Sequence, residues 1–149
     1  MVQQPEESSG FLLWHVTLRW QRAVTTTLKP LGLTHVQFVL LASTWWLNQH
    51  DEQPSQAAVS AFAGIDVKMA SQVIRTLESK GLITRQIDSA DSRARRLVVT
   101  EAGAALAPKA VEAVEAVDAA LLEPLSGAEA RAFTKSLRRL RTKHTEEQS

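Results

Sequence analysis

Four polar side chains, Lys68, Ser71, Gln72 and Arg75, recur at i, i+3, i+4 and i+7, so a helix would carry them on one face. They offer two cations, a hydroxyl, and an amide that both donates and accepts. That set suits phosphate oxygens and the edges of nucleic-acid bases, where an amide or guanidinium pairs with two groups at once. Taken alone, simple solvation explains the face as well. Downstream the segment DSADSRARR, residues 88–96, adds Asp91, Arg93, Arg95 and Arg96. No catalytic constellation competes with this one. His15, His35, His50 and His144 are scattered, with no Cys and no metal-ligand spacing, and are read as structural or solvated, so no metal is assigned. There is no Ser-His-Asp order, glycine-rich phosphate loop or isolated carboxylate pair, so neither an enzyme nor a cofactor is expected.

The polar face needs a helix to hold it. Asp66 is placed to cap one, its carboxylate accepting from the first unpaired amides. The helix should run to Lys80, with Gly81 supplying the left-handed residue after it. Ala70, Val73, Ile74 and Leu77 form its buried stripe. Leu82–Ile87 alternates apolar and polar as a half-buried strand does, and Leu97–Thr100 can return antiparallel to it. The intervening segment is too long for a tight turn. A helix followed by a two-stranded ribbon with a basic tip is a winged helix-turn-helix, the helix sized for a major groove and the tip for phosphates or the minor groove. The expected class is mainly α with a small two- to three-stranded β wing.

These residues resemble the MarR-type transcriptional regulators. That family's wing signature, Asp-x-Arg followed by Leu-Thr and Gly, is similar to Asp91-Ser92-Arg93, then Val99-Thr100 and Gly103, with Val99 in place of the usual Leu. LESKGLITR, residues 77–85, resembles the helix-to-wing junction, and PLGLT, residues 30–34, the junction of the first two helices. The resemblance covers nearly the whole chain. It implies a homodimeric repressor of a pseudo-palindromic site in double-stranded DNA, with Lys68, Ser71, Gln72 and Arg75 toward bases and phosphates. Arg93 would enter the minor groove, Asp91 would orient it or pin the base of the wing, and Arg95 and Arg96 would meet phosphates. It also implies an effector site between the dimerisation helices and the DNA-reading lobe. Trp14, His15, Arg22, Phe38, Trp45 and Trp46 would line it for a small apolar or aromatic acid, although core packing is the simpler account of each Trp. With no Cys, a thiol-oxidation switch is closed.

Length and charge agree. The 149 residues suit one compact subunit, with no apolar run long enough for a membrane span and no signal peptide in MVQQPEESSG, so a cytoplasmic protein is expected. Net charge is +1, but residues 66–100 hold seven Lys and Arg against four Asp and Glu, and the flanking segments are slightly acidic. Residues 1–9 read as a loosely packed tail, 34–100 as the DNA-binding lobe, and 10–33 with 101–149 as dimerisation helices. The first helix runs from Phe11 to about Leu28. The second, capped by Thr34, is apolar on all sides, and Asn48–Pro54 is a polar connector. Ser55–Ala63 is a short helix with Val59 and Phe62 facing inward, turning at Gly64-Ile65 into the polar-faced helix. Glu101–Leu122 carries a seam of Ala110, Val114, Val117 and Leu121, with a kink expected at Pro108. Ser126 and Glu129 form a capping box for a last helix whose apolar stripe is Ala130, Phe133, Leu137 and Leu140. A different class, a winged-helix protein-interaction module without a DNA role, would show an apolar, aromatic-bearing patch on the reading face instead.

Overall fold

The computed structural model describes residues 2–87 and 95–147, without the side chains of 143–147. Among the described residues are α1 (Ser9–Leu28), α2 (His35–Gln49), α3 (Gln56–Ala63), α4 (Val67–Ser79), β1 (Ile83–Ile87), β2 (Arg95–Val99), α5 (Glu101–Leu122) and α6 (Gly127–Glu147). The chain forms two compact units, Met1–Val117 and Asp118–Ser149.

In the first unit, α1 opens where Ser8 Oγ accepts from Phe11 N–H at 3.3 Å, after an exposed 3-10 turn at Pro5–Glu7. Thr34 and Gln37 form a reciprocal capping box at the start of α2, each side chain accepting from the other's backbone at 3.2 Å. Leu40, Leu41, Ser43 and Thr44 of α2 are buried, and residues 35–45 have no exposed member, as a helix apolar on all sides requires. Around α2 the core gathers Val24 and Leu28 from α1, Val59 from α3, Ile74 and Leu77 from α4, Ile83 and Leu97 from the sheet, and Ala107 and Ala110 from α5. Burial of each large aliphatic side chain among these contributes about 1.5–3 kcal/mol.

Two expectations need correction. Phe62 does not face inward; it is 55% exposed. The buried face of α3 is centred between Val59 and Ser60, because the Ser60 hydroxyl donates to the Ile65 carbonyl and closes the following turn. At 100° per residue, Phe62 then falls to the side of that face. Second, Arg95 and Arg96 belong to a strand rather than to the connecting segment. β1 and β2 pair antiparallel with Ile83 opposite Val99, Gln86 opposite Arg96 and Ile87 opposite Arg95, so the ladder extends as far as β1 supplies partners. Among the described residues the sheet has two strands.

Thr100 leaves the sheet to open α5, its hydroxyl donating to Gly81 O at 2.6 Å and accepting from Gly103 N at 3.0 Å. α5 buries Gly103, Ala107, Ala110 and Val114 and continues through Pro108 without a break. In the second unit, Ser126 N–H donates to Glu129 Oε1 at 3.0 Å and Glu129 N–H to Ser126 Oγ at 3.1 Å, the capping box that the sequence indicates for α6. Phe133, Leu137 and Leu140 of α6 are exposed. Helices α3 and α4, followed by the two-stranded sheet, make this a winged helix-turn-helix protein. No single helix among the described residues is long and apolar enough to cross a membrane.

Candidate nucleic-acid interface

The site begins at a turn. Gly64 adopts φ 71°, a left-handed conformation that costs glycine little, and across the short break α3 and α4 are bent by 110°. Asp66 Oδ1 then accepts from Lys68 N at 3.0 Å and Met69 N at 3.1 Å, fixing the start of α4. Ala70, Ile74 and Leu77 are fully buried, which turns the opposite face outward. Lys68, Gln72 and Arg75 are exposed there and Ser71 is half-buried, so the four residues share the face their spacing indicates. Arg75 Nη2 reaches Ser71 Oγ at 3.4 Å, a weak contact that leaves the guanidinium accessible.

The wing residues divide differently. Asp91 and Arg93 lie outside the described residues. Arg95 is exposed at the start of β2 and Arg96 is half-buried opposite Gln86. Arg85, which also adds positive charge to this stretch, is engaged elsewhere: its Nε donates to Glu78 Oε1 at 2.7 Å, tying β1 to α4. Lys80 is likewise committed, donating to Gly32 O at 2.6 Å and Gln37 Oε1 at 2.8 Å.

Sequence reasoning missed two kinds of residue here. Val67 and Met69 are about half exposed on α4, and large apolar groups on a solvent-facing turn suit contact with thymine methyl groups. Their type was visible, but only the direction of the buried stripe separates them from core residues. The polarity of Asn48 assigns it to the connector after the second helix. It stands instead in the last turn of α2, its amide donating to Leu97 O at 3.2 Å and its carbonyl accepting from Val99 N at 2.9 Å. Partners about fifty positions apart leave no local signal.

The proposed effector residues are also dispersed. Phe38 and Trp45, seven apart on α2, share one stripe and pack against the core. Trp46 is 51% exposed and its ring lies tilted against that of His50, with centroids 4.3 Å apart. On α1, Trp14 is 62% exposed and His15 lies against Phe11 at 4.5 Å. His15 and exposed Arg22 fall on the side of α1 opposite Val24 and Leu28, away from the core that α1 shares with α2. Among the described residues, no group of three or more His, Cys, Asp or Glu could hold a metal ion.

Known proteins resemble this chain over most of its length. Residues 33–94 match the MarR family model. The chain is 42% identical over 116 residues to the HTH-type transcriptional regulator YdcH of Bacillus subtilis, covering 78% of this chain and 79% of that one. It is 30% identical over 131 residues to the HTH-type transcriptional repressor Rv2887 of Mycobacterium tuberculosis, 88% and 91% of the two chains. The crystal structure of Rv2887 in complex with salicylic acid matches with a TM-score of 0.69 and 32% identity, over 89% of this chain and 96% of that one. The crystal structure of CouR from Rhodococcus jostii bound to p-coumaroyl-CoA matches with a TM-score of 0.81 and 26% identity, over 93% and 95%.

Proposed function

Starting from a chain that belongs to the MarR family and is a transcriptional regulator, we propose that it acts as a homodimeric repressor of a pseudo-palindromic site in double-stranded DNA, released by a small aromatic or apolar effector. The observation that carries this reading is the outward polar face of α4, set at 110° to α3 and followed by a wing strand bearing Arg95 and Arg96. One such unit meets only a few base pairs, so two copies would read half-sites about 34–36 Å apart. Apolar side chains left uncovered within one chain support self-association: Leu12, Leu13 and Trp14 on α1, and Phe133, Leu137 and Leu140 on α6. For the effector, support comes from aromatic ligands in two relatives and from Phe38 and Trp45 on α2. A site that also includes His15 and Arg22 needs a further surface beyond the α1–α2 core, as a second copy would provide.

Phe62, Val67 and Met69, exposed around the α3–α4 turn, favour one other reading, a protein-interaction module. A single experiment separates the two. Bound fragments are selected from random duplex DNA, and affinity for the recovered site is measured against salt, with and without salicylate or p-coumaroyl-CoA. A DNA-binding dimer gives a palindromic consensus and a log–log salt slope of about 0.9 per phosphate contact. An interaction module recovers no consensus.

A further inference from the structure

At each end of α2 a side chain grips one of the elements assigned above to DNA. Near its start, Gln37 Oε1 accepts both Thr34 N–H at 3.2 Å and the Lys80 ammonium at 2.8 Å, while the ammonium also reaches Gly32 O at 2.6 Å. Lys80 is the cap at the C-terminal end of α4. The far end of the reading helix is thus held to the α1–α2 junction by one charged side chain. In the last turn of α2, Asn48 holds the wing. Its Nδ2 donates to Leu97 O at 3.2 Å and Glu52 O at 3.0 Å, and its Oδ1 accepts from Val99 N at 2.9 Å. Pro54 O accepts from Leu97 N at 2.9 Å beside it.

The strand register explains what these bonds do. In an antiparallel pair, alternate residues turn their N–H and C=O groups away from the partner strand. Leu97 and Val99 are such residues of β2, and the edge they would leave open is closed by α2 and the loop after it. A two-stranded sheet is marginal by itself, so this edge contact fixes where the wing stands. The two Asn48 bonds to β2 are part-buried and those of Lys80 exposed, so water competes less with the wing attachment.

Resting on the DNA-binding reading above, we propose that α2 is the frame to which both reading elements are fastened, with Asn48 and the Gln37–Lys80 pair as positioning residues. They touch no DNA, yet they set the wing and α4 at the separation an operator requires. Phe38 adjoins Gln37, and Trp45 lies one turn before Asn48, so a ligand that shifts α2 moves both attachments together.

The test uses the full chain and its selected operator. Asn48→Ala and Lys80→Met are measured alone and combined with Arg95→Ala or Gln72→Ala. Each positioning variant lowers operator affinity about fivefold to tenfold. In the Asn48→Ala background the Arg95→Ala cost shrinks while the Gln72→Ala cost persists; Lys80→Met gives the opposite pattern. Additive losses in all four pairs overturn the proposal, because general destabilisation moves every contact alike. Should Asn48→Ala not fold, Asn48→Ser, which keeps a hydroxyl for one edge group, enters the same cycles. Hydrogen exchange on the free proteins needs no DNA. Asn48→Ala should speed exchange in residues 83–87 and 95–99 but not in 67–79, and Lys80→Met the reverse. If the wild-type chain binds no duplex, the DNA reading fails; the exchange pattern then upholds or overturns the framing role by itself.

Discussion

Gly103 stands where the first turn of α5 meets the backbone of Leu82, and a Cβ there would collide with the Leu82 carbonyl oxygen. That oxygen already accepts from Thr100 N at 3.0 Å, so it cannot retreat without loosening the wing-to-helix junction. Gly103→Ala is expected to destabilise by about 1–3 kcal/mol, lowering Tm by about 2–4 °C per kcal/mol in a chain of this size. An unchanged Tm would mean the junction relaxes freely. The interface residues separate by a different measure. Gln72→Ala should relax preference at one base pair by about 1–3 kcal/mol if its amide meets an adenine edge. Arg95→Ala should weaken operator and random duplex equally, as loss of a phosphate contact does. Equal losses on both duplexes for both variants would show that these roles are wrongly divided.

Among the elements, α6 carries the interaction whose response to pH is clearest. The backbone N–H of Ser126, followed by its side chain, holds the Glu129 carboxyl below the ordinary glutamate range. A depressed carboxylate stabilises the folded form above its unfolded pKa, and that contribution is lost as pH falls through the folded value. The start of α6 should therefore fray on acidification below the ordinary glutamate range. Because Glu129 is fully exposed the effect is local, best read by exchange of the amides in residues 127–130. Glu129→Gln keeps a neutral acceptor for Ser126 and should flatten that part of the profile. Parallel profiles for the two proteins would rule out the charge of the cap as the cause.

For the whole molecule, the uncovered apolar residues of α1 and α6 lead to a linked pair of measurements. Leu137→Lys places a charge in the α6 stripe and should shift a micromolar dimer toward monomer in sedimentation. Operator affinity should fall with it, since each copy then meets a half-site alone. An aromatic acid that lowers operator affinity must itself bind more weakly, by the same factor, when operator is present. Intrinsic Trp fluorescence, with Trp46 and Trp14 exposed, can follow that exchange. Unequal factors would place the ligand's effect outside a binding equilibrium.

What the sequence determined by itself was local. Asp66, Thr34 and Ser126 cap helices because their partners lie two or three residues away, and the stripe of Ala70, Ile74 and Leu77 follows from 3.6 residues per turn. The same periodicity placed Lys68, Ser71, Gln72 and Arg75 on one outward face, and the residues from Leu77 to Gly103 carried the family. The tertiary structure alone decided the rest. Arg95 and Arg96 joined the ladder because β1 offered Ile87 and Gln86 opposite them, and Arg85 turned to Glu78. Phe62 turned outward because Ser60 was drawn in to close the turn. Asn48 and Lys80 found partners more than forty residues away, which no short window of sequence contains. Caps and stripes are set by neighbours along the chain, whereas strand ends, ion pairs and edge contacts depend on what packing brings alongside.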